Sequence, residues 1–115
     1  MAPLALRSRR LRRSMLRAGA EHADRLSPRQ AVEIVRDLVE CDAADDLLGT
    51  NESLSPMLGV GCPITLAWSE HDRILPAAIY GPVARQRIPG AHYRILPGVG
   101  HVPMVDDPQL VAATI

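Results

Sequence analysis

The sequence predicts an α/β fold in which charged helices come first and a strand, a helix and a second strand follow. The chain has 115 residues and 47% of them are hydrophobic, so a packed core is expected and a disordered tail is excluded. Residues 1–50 have the charged, periodic pattern of helices, whereas the chain from Pro56 onward is punctuated by proline and glycine. We therefore divide the chain into a helical segment, 1–50, and an α/β segment, 51–115.

The first predicted element is an arginine-rich helix. Residues 1–17 contain six arginines and no acidic residue, although the formal net charge of the whole chain is zero. Leu4, Leu11 and Met15 recur at helical spacing, which favours an exposed helix face decorated with arginine. An organelle-targeting presequence and an anion-binding arm are the alternatives. The anion-binding arm would use Arg9, Arg10, Arg12 and Arg13.

A second helix is predicted to begin at Pro28. Ser27 supplies a capping hydroxyl, proline stands at the first helical position, and Gln30 follows three residues after the cap. The apolar residues that follow fall on one face of this amphipathic helix. They are Ala31, Val35, Leu38 and Val39. Asp42 is expected to cap another short helix that ends at Gly49.

The α/β segment contains two predicted strands. The nearly continuous apolar segment 64–68 is typical of a strand that is buried on both faces, and 92–96 is a second, weaker strand signal. Pro82 to Ile88 can supply one short helix between them. A strand, a crossover helix and a strand form a parallel unit, and ligands of parallel sheets sit beyond the carboxyl ends of the strands. Functional residues are therefore expected at those ends.

An aspartate follows the first strand and a histidine follows the second. These are Asp72 and His101, the predicted site residues. If the two strands are neighbours, a hydrogen bond between Asp72 and the imidazole of His101 would fix the tautomer of the ring and stabilise its cation. Gly98 and Gly100 would let the backbone turn sharply just before His101.

Two segments resemble the catalytic loops of α/β-hydrolases. Residues 63–76 look like the strand and acid loop of that family, with Asp72 four residues before Pro76, although Ser69 stands where glycine is commoner. Residues 96–108 look like its histidine loop. The resemblance implies that Asp72 and His101 are the acid and base of a catalytic triad, in the family's order of nucleophile, acid and histidine. It also implies that residues 1–50 are a helical cap and residues 51–115 the last part of the core.

The nucleophile of such a triad is not found in the sequence. No G-x-S-x-G motif occurs, and no serine lies between suitably spaced glycines. The six serines are Ser8, Ser14, Ser27, Ser53, Ser55 and Ser69. We expect a carboxyl-terminal piece of an α/β-hydrolase of the carboxylic-ester type, inactive as an isolated chain. The alternative is a truncated, catalytically inactive remnant or a small interaction module.

The resemblance implies a small-molecule, ester-like substrate and no cofactor or metal. The missing amino-terminal part of the hydrolase core is a possible partner. Scarce aromatic residues argue against nucleic-acid binding, and no apolar stretch is long enough for a membrane span. Two cysteines without metal-like spacing favour a reduced, cytoplasmic setting. An apolar acyl site is expected from among Leu54, Met57, Ile74 and Val102.

Overall fold

The computed structural model describes residues 2–49 and 55–115, with four helices ahead of a strand, helix and strand. The helical part consists of α1 (Ala2–Ala5), α2 (Arg9–Met15), a 3₁₀ turn (Ala23–Arg25), α3 (Pro28–Val39) and α4 (Ala44–Gly49). The second part consists of β1 (Thr65–Ser69), α5 (Ala77–Arg87), β2 (His92–Leu96), α6 (Pro103–Asp106) and α7 (Pro108–Ala112). This order confirms the predicted fold class. The predicted boundary between residues 50 and 51 lies at the edge of a segment outside the described residues.

Helix α3 begins where the capping pattern predicts. The hydroxyl of Ser27 accepts a hydrogen bond from the Gln30 N–H at 3.2 Å, and the Gln30 side chain accepts one from the Ser27 N–H at 2.9 Å. The predicted apolar face is only partly covered, because Ala31 is fully buried whereas Leu38 and Val39 are 69% and 79% exposed. The second half of this face therefore lacks a packing partner among the described residues.

Helix α4 ends at Gly49 as predicted, but it begins at Ala44. The Ala44 N–H donates to the carbonyl of Cys41 at 3.1 Å. Asp42 lies two residues ahead of the helix, so the prediction that it occupies the capping position is wrong. Asp107, in contrast, caps α7 by accepting a hydrogen bond from the Leu110 N–H at 2.8 Å.

The prediction that the arginines of α2 lie on an exposed helix face is wrong for Arg12. Leu11 and Met15 are indeed exposed, but Arg12 is buried, with only 4% of its surface accessible. Its guanidinium donates to the carbonyls of Leu6 at 2.7 Å and Asp24 at 3.3 Å. These carbonyls lie at the end of a short helix and in a 3₁₀ turn, where regular backbone bonding stops, and the planar guanidinium can reach both at once.

The two strands pair in parallel, as predicted, in a two-stranded sheet. Thr65 is opposite His92 and Ser69 is opposite Leu96. The expectation that the first strand is buried on both faces is wrong, since Thr65 and Ala67 are exposed. Helix α5 packs against β1, and among the described residues no third strand covers or extends the sheet. Apolar composition predicted the strand, but its burial depends on neighbours that the described residues do not supply.

Helix α5 begins at Ala77, five residues before the predicted start at Pro82. Proline is favoured at the first helical position, but here it lies in the helix interior, where its missing N–H removes one backbone hydrogen bond. The helix approaches the sheet closely at Gly81. A Cβ atom at that position would lie 2.6 Å from the Tyr93 hydroxyl oxygen, so a larger residue there would force the Tyr93 side chain to shift.

Among the residues whose burial is described, few apolar side chains are buried, and these come from both parts of the chain. They are Leu6, Ala20, Ala23, Ala31, Leu96 and Val99. The radius of gyration is 16.3 Å, compared with about 13 Å for a compact domain of this length. The molecule is therefore elongated. Its two parts are joined where residues 19–22 form hydrogen bonds with Val102 and Asp106. No helix in the described ranges is sufficiently long and apolar to cross a membrane.

Candidate active site

The parallel pairing of β1 and β2 brings Asp72 and His101 together at the carboxyl ends of the strands. The Nδ1 atom of His101 lies 3.0 Å from each of the two carboxylate oxygens of Asp72. The Asp72 side chain is 8% exposed and that of His101 is 31% exposed. The carboxylate is thus almost enclosed, while part of the imidazole is open to solvent.

The loop from Glu70 to Pro76, which we call the acid loop, holds the Asp72 carboxylate in place. Its Oδ1 accepts backbone hydrogen bonds from Ile74 at 3.0 Å and Leu75 at 2.8 Å. The carbonyl of Leu75 in turn accepts a hydrogen bond from the Trp68 indole at 2.8 Å. Asp72 therefore accepts hydrogen bonds from the backbone of its own turn and contacts His101 at the same time.

The hydrogen bonds to Asp72 favour its ionised form. Burial of the carboxyl raises its pKa, but the hydrogen bonds from the Leu75 N–H, from His101 and from the Ile74 N–H outweigh this and leave the pKa below its ordinary value of 3.8. An ionised carboxylate can only accept hydrogen bonds, so Nδ1 of His101 carries the proton. The neutral ring then keeps its lone pair on Nε2, the nitrogen that a general base uses.

We call the loop from Pro97 to Val102 the histidine loop. This loop and the last residue of β2 are joined to the acid loop by three further hydrogen bonds. The N–H of Glu70 donates to the carbonyl of Leu96 at 2.9 Å, and that of His71 donates to Val99 at 3.0 Å. The Gly98 N–H donates to the Glu70 carboxylate at 2.8 Å. Gly98 has φ of +70°, so the turn predicted at this glycine is present. Glu70 was missed from the sequence, although its position beside Asp72 was the available signal.

The comparison with known families covers nearly the whole chain. A family model described as the α/β hydrolase family matches residues 1–114. The chain belongs to the α/β hydrolase family. Searches of curated proteins and of solved structures found no match. The family match includes residues 1–50, for which the sequence analysis had only helical content as support.

In this α/β-hydrolase chain, residues 19–22 underlie both loops. The Val102 N–H donates to the carbonyl of Gly19 at 2.8 Å, which fixes the end of the histidine loop. On the other side, the Arg73 guanidinium forms an ion pair with the Glu21 carboxylate and donates to the carbonyl of Arg17 at 3.2 Å. The side-chain hydrogen bond from Arg73 is the main reason why the pKa of Glu21 lies below its ordinary value of 4.5. No pattern in the sequence predicts this arrangement.

The residues predicted to line an acyl site lie in different places. Ile74 and Val102 are in or next to the two loops and are 49% and 39% exposed. Met57 donates its N–H to Arg87 at 2.7 Å and lines a cavity with Ile64, before the start of β1. It is therefore at the opposite end of the sheet, and the prediction that it borders the site is wrong. Leu54 lies outside the described residues.

His71 and His92 do not join the pair. His71 is exposed, as predicted, with its Nε2 3.8 Å from Glu70, and His92 begins β2 at the amino end of the strand. Within residues 2–49 and 55–115, no group of three His, Cys, Asp or Glu side chains could hold a metal ion.

Proposed function

We propose that this chain supplies the acid and the general base of a hydrolase triad that cleaves carboxylic-ester-type bonds in a small molecule. The observation that carries the proposal is the contact between Nδ1 of His101 and the Asp72 carboxylate, at 3.0 Å to each oxygen. In a triad, the acid orients the imidazole through Nδ1 and leaves Nε2 to act on the nucleophile. Membership of the α/β hydrolase family supports the same assignment.

In the proposed reaction, Nε2 of His101 accepts the proton of the nucleophile as that nucleophile attacks the ester carbonyl. The positive charge formed on the imidazole is stabilised by the adjacent ionised Asp72. The same proton is then donated to the leaving alkoxide. In the second half of the reaction, Nε2 deprotonates a water molecule that attacks the acyl carbon. The proton then passes from Nε2 to the departing nucleophile, which releases the acid product and restores the neutral ring.

We propose that the nucleophile lies outside these 115 residues. None of the serines stands in a G-x-S-x-G motif, and two of them have positions unsuited to a nucleophile. Ser69 is 5% exposed within β1, and Ser27 caps α3. The same Asp–His pair also serves family branches whose nucleophile is an aspartate, where it activates water against an ester intermediate. The proposal covers both kinds of nucleophile.

The exposed apolar surface of the α/β part supports the proposal that this chain contains only part of a hydrolase core. Ile79 and Val83 of α5 are 63% and 49% exposed, and Ile95 of β2 is 42% exposed. A two-stranded sheet with such surfaces is marginal in water, whereas further strands and helices would cover them. We infer that the amino-terminal part of a hydrolase core is the partner of these surfaces, and that it brings the nucleophile.

The first test is a direct assay of the chain with p-nitrophenyl esters of increasing acyl length. We expect no turnover above that of a His101→Ala variant, because a base without a nucleophile gives little catalysis. Turnover that depends on His101 would show that the nucleophile is present in the chain, and it would overturn that part of the proposal.

The second test uses the DNA upstream of Met1. An in-frame G-x-S-x-G or G-x-D-x-x sequence would encode a longer product with a nucleophile, and His101→Ala in that product should lower ester turnover by about three to six powers of ten. Unchanged turnover would remove His101 from the mechanism. If no such product exists and the chain is inactive, the inactive remnant or interaction module is the correct assignment.

A further inference from the structure

Asp106 is a buried carboxylate that has no part in the reaction proposed above. It is 6% exposed and ends the single-turn helix α6, five residues after His101. Its side chain accepts three backbone hydrogen bonds. Oδ2 accepts from Gly100 at 2.7 Å and from Glu21 at 2.9 Å, and Oδ1 accepts from His22 at 2.7 Å. Hydrogen bonds to a buried carboxylate are shorter and stronger than those between neutral groups.

These three donors connect two distant parts of the chain. Gly100 immediately precedes His101, whereas Glu21 and His22 are 85 and 84 residues before Asp106. The carboxylate therefore closes the loop that carries the histidine and, at the same time, holds this loop against residues 19–22.

The backbone at Gly100 also packs closely against the backbone of Ala20 and Glu21. A Cβ atom there would lie 2.8 Å from the Glu21 nitrogen and 3.1 Å from the Ala20 Cα. Only glycine allows the two backbones to come this near. The position of Gly100, directly before His101, is thus determined by the backbone of Ala20 and Glu21 on one side and by the Asp106 carboxylate on the other.

Glu21 links this arrangement to the acid loop. Its N–H donates to Asp106, while its carboxylate forms the ion pair with Arg73, the residue next to Asp72. One residue therefore contacts both Asp106, which binds the histidine loop, and Arg73 of the acid loop.

We propose that Asp106 is a positioning residue, which holds the histidine loop on residues 19–22 and so places Nδ1 of His101 opposite Asp72. An effect of Asp106 on catalysis rests on the proposed function, whereas its effect on the position of His101 can be measured in this chain alone. Asp106 touches neither His101 nor Asp72 through a hydrogen bond, so its effect on the pair acts through the loop.

Asp106→Asn is the sharpest change because it keeps the size of the side chain. An amide has one acceptor oxygen and one NH2 group, so in either orientation at least one of the three backbone N–H groups faces a donor. Asp107→Asn is the matched control, since Asp107 is the next residue and accepts only the Leu110 N–H that caps α7. Gly100→Ala disrupts the same contact without changing any charge.

The experiment uses the full chain with ¹⁵N-labelled histidine, of which there are four, and His101→Gln to assign the His101 signal. The ring nitrogen shifts at about pH 8.5, where imidazole is neutral, report which nitrogen carries the proton. We expect His101 to be in the Nδ1–H form in the unaltered chain and in Asp107→Asn. In Asp106→Asn and Gly100→Ala, it should move toward the tautomer mixture of an unconstrained ring. Amide exchange at Glu21, His22 and Gly100 should become roughly tenfold faster.

Several results would overturn the inference. One is faster amide exchange with an unchanged His101 tautomer, which would make Asp106 purely structural. Another is an unaltered chain in which His101 is not in the Nδ1–H form, since no pairing would then exist to be positioned. If Asp106→Asn fails to fold, Gly100→Ala decides the question by the same tautomer signal. If His101→Ala did not change ester turnover in a longer product, the proposed function would be refuted. The positioning of His101 by Asp106 would not be affected by that outcome.

Discussion

The carboxylate of Glu70 accepts a hydrogen bond from the Gly98 N–H at 2.8 Å, which ties the acid loop to the turn that precedes His101. Glu70 is exposed, so we expect Glu70→Gln to lower the free energy of unfolding by only about 0.5–1.5 kcal/mol. Urea unfolding measures this change. Glu33→Gln on α3 is the control, because Glu33 pairs only with exposed Arg29 and should cost less. Equal losses in the two variants would contradict a specific role for Glu70.

Acid should destabilise the chain through Asp72. Its pKa is below the ordinary 3.8 in the folded chain, so the folded state favours the ionised carboxyl. The resulting stabilisation is complete above about pH 5 and is lost progressively as the pH falls through the folded value. Urea unfolding between about pH 7 and pH 3 should show this loss, and Asp72→Asn should make the profile flatter. An unchanged slope in that variant would show that other carboxyl groups determine the acid sensitivity.

Glu21 should contribute to the same profile. The hydrogen bond from Arg73 lowers its pKa below 4.5, so its stabilisation is also present at neutral pH and lost in acid. We expect Arg73→Gln to remove this part of the pH dependence while leaving the part due to Asp72. A double variant, Arg73→Gln with Asp72→Asn, should therefore show the flattest profile of the set. If Arg73→Gln alone leaves the slope unchanged, the ion pair is not formed in solution.

Replacement of Arg12 by lysine should be costly although the charge is kept. Lysine cannot donate from a planar fork to the carbonyls of Leu6 and Asp24 together, so the free energy of unfolding should fall by about 1–3 kcal/mol. The control is Arg9→Lys, at an exposed position of the same helix, which should change stability by less than about 0.5 kcal/mol. Thermal unfolding of the two variants side by side makes the comparison. Similar melting temperatures would place Arg12 at the surface.

Replacement of Gly81 by alanine should destabilise the chain through a clash with the Tyr93 side chain. Alanine is favoured in a helix by about 1 kcal/mol, but its Cβ would lie 2.6 Å from the Tyr93 hydroxyl oxygen, and overpacking costs about 1–3 kcal/mol. We expect Gly81→Ala to destabilise the unaltered chain and to be tolerated better with Tyr93→Phe. A double-mutant cycle measures the difference. Gly61→Ala, with no neighbouring atom within 4 Å, is the control. Additive effects of the two changes would contradict the contact.

The parts of the fold that the sequence predicted are those determined locally. The capping residues of α3, the order of strand, helix and strand, and the glycine turn at Gly98 depend on neighbours within a few residues. The contact between Asp72 and His101 was also predictable, because parallel pairing places both strand ends at one edge of the sheet. The structure shows that these two residues are close together, and the proposed function assigns them their catalytic role.

The missed features depend on distant parts of the chain. Arg12 has an ordinary surface pattern in the sequence, and in the structure it is buried with hydrogen bonds to the carbonyls of Leu6 and Asp24, which lie outside α2. The hydrogen bonds of Asp106 join residues that are more than 80 positions apart, for which no periodicity or capping pattern gives a signal. The start of α5 was missed for another reason, since a proline that favours helix starts here lies inside the helix.

The distance along the chain between Glu21 and Asp106 has a consequence for biosynthesis. A ribosome must add 85 residues after Glu21 before the carboxylate that binds its N–H exists, which takes on the order of ten seconds at usual elongation rates. During that time, the N–H groups of Glu21 and His22 have only water or temporary partners. A nascent chain that stops short of Asp106 therefore contains Asp72 and His101 but lacks the carboxylate that binds the N–H groups of Glu21, His22 and Gly100.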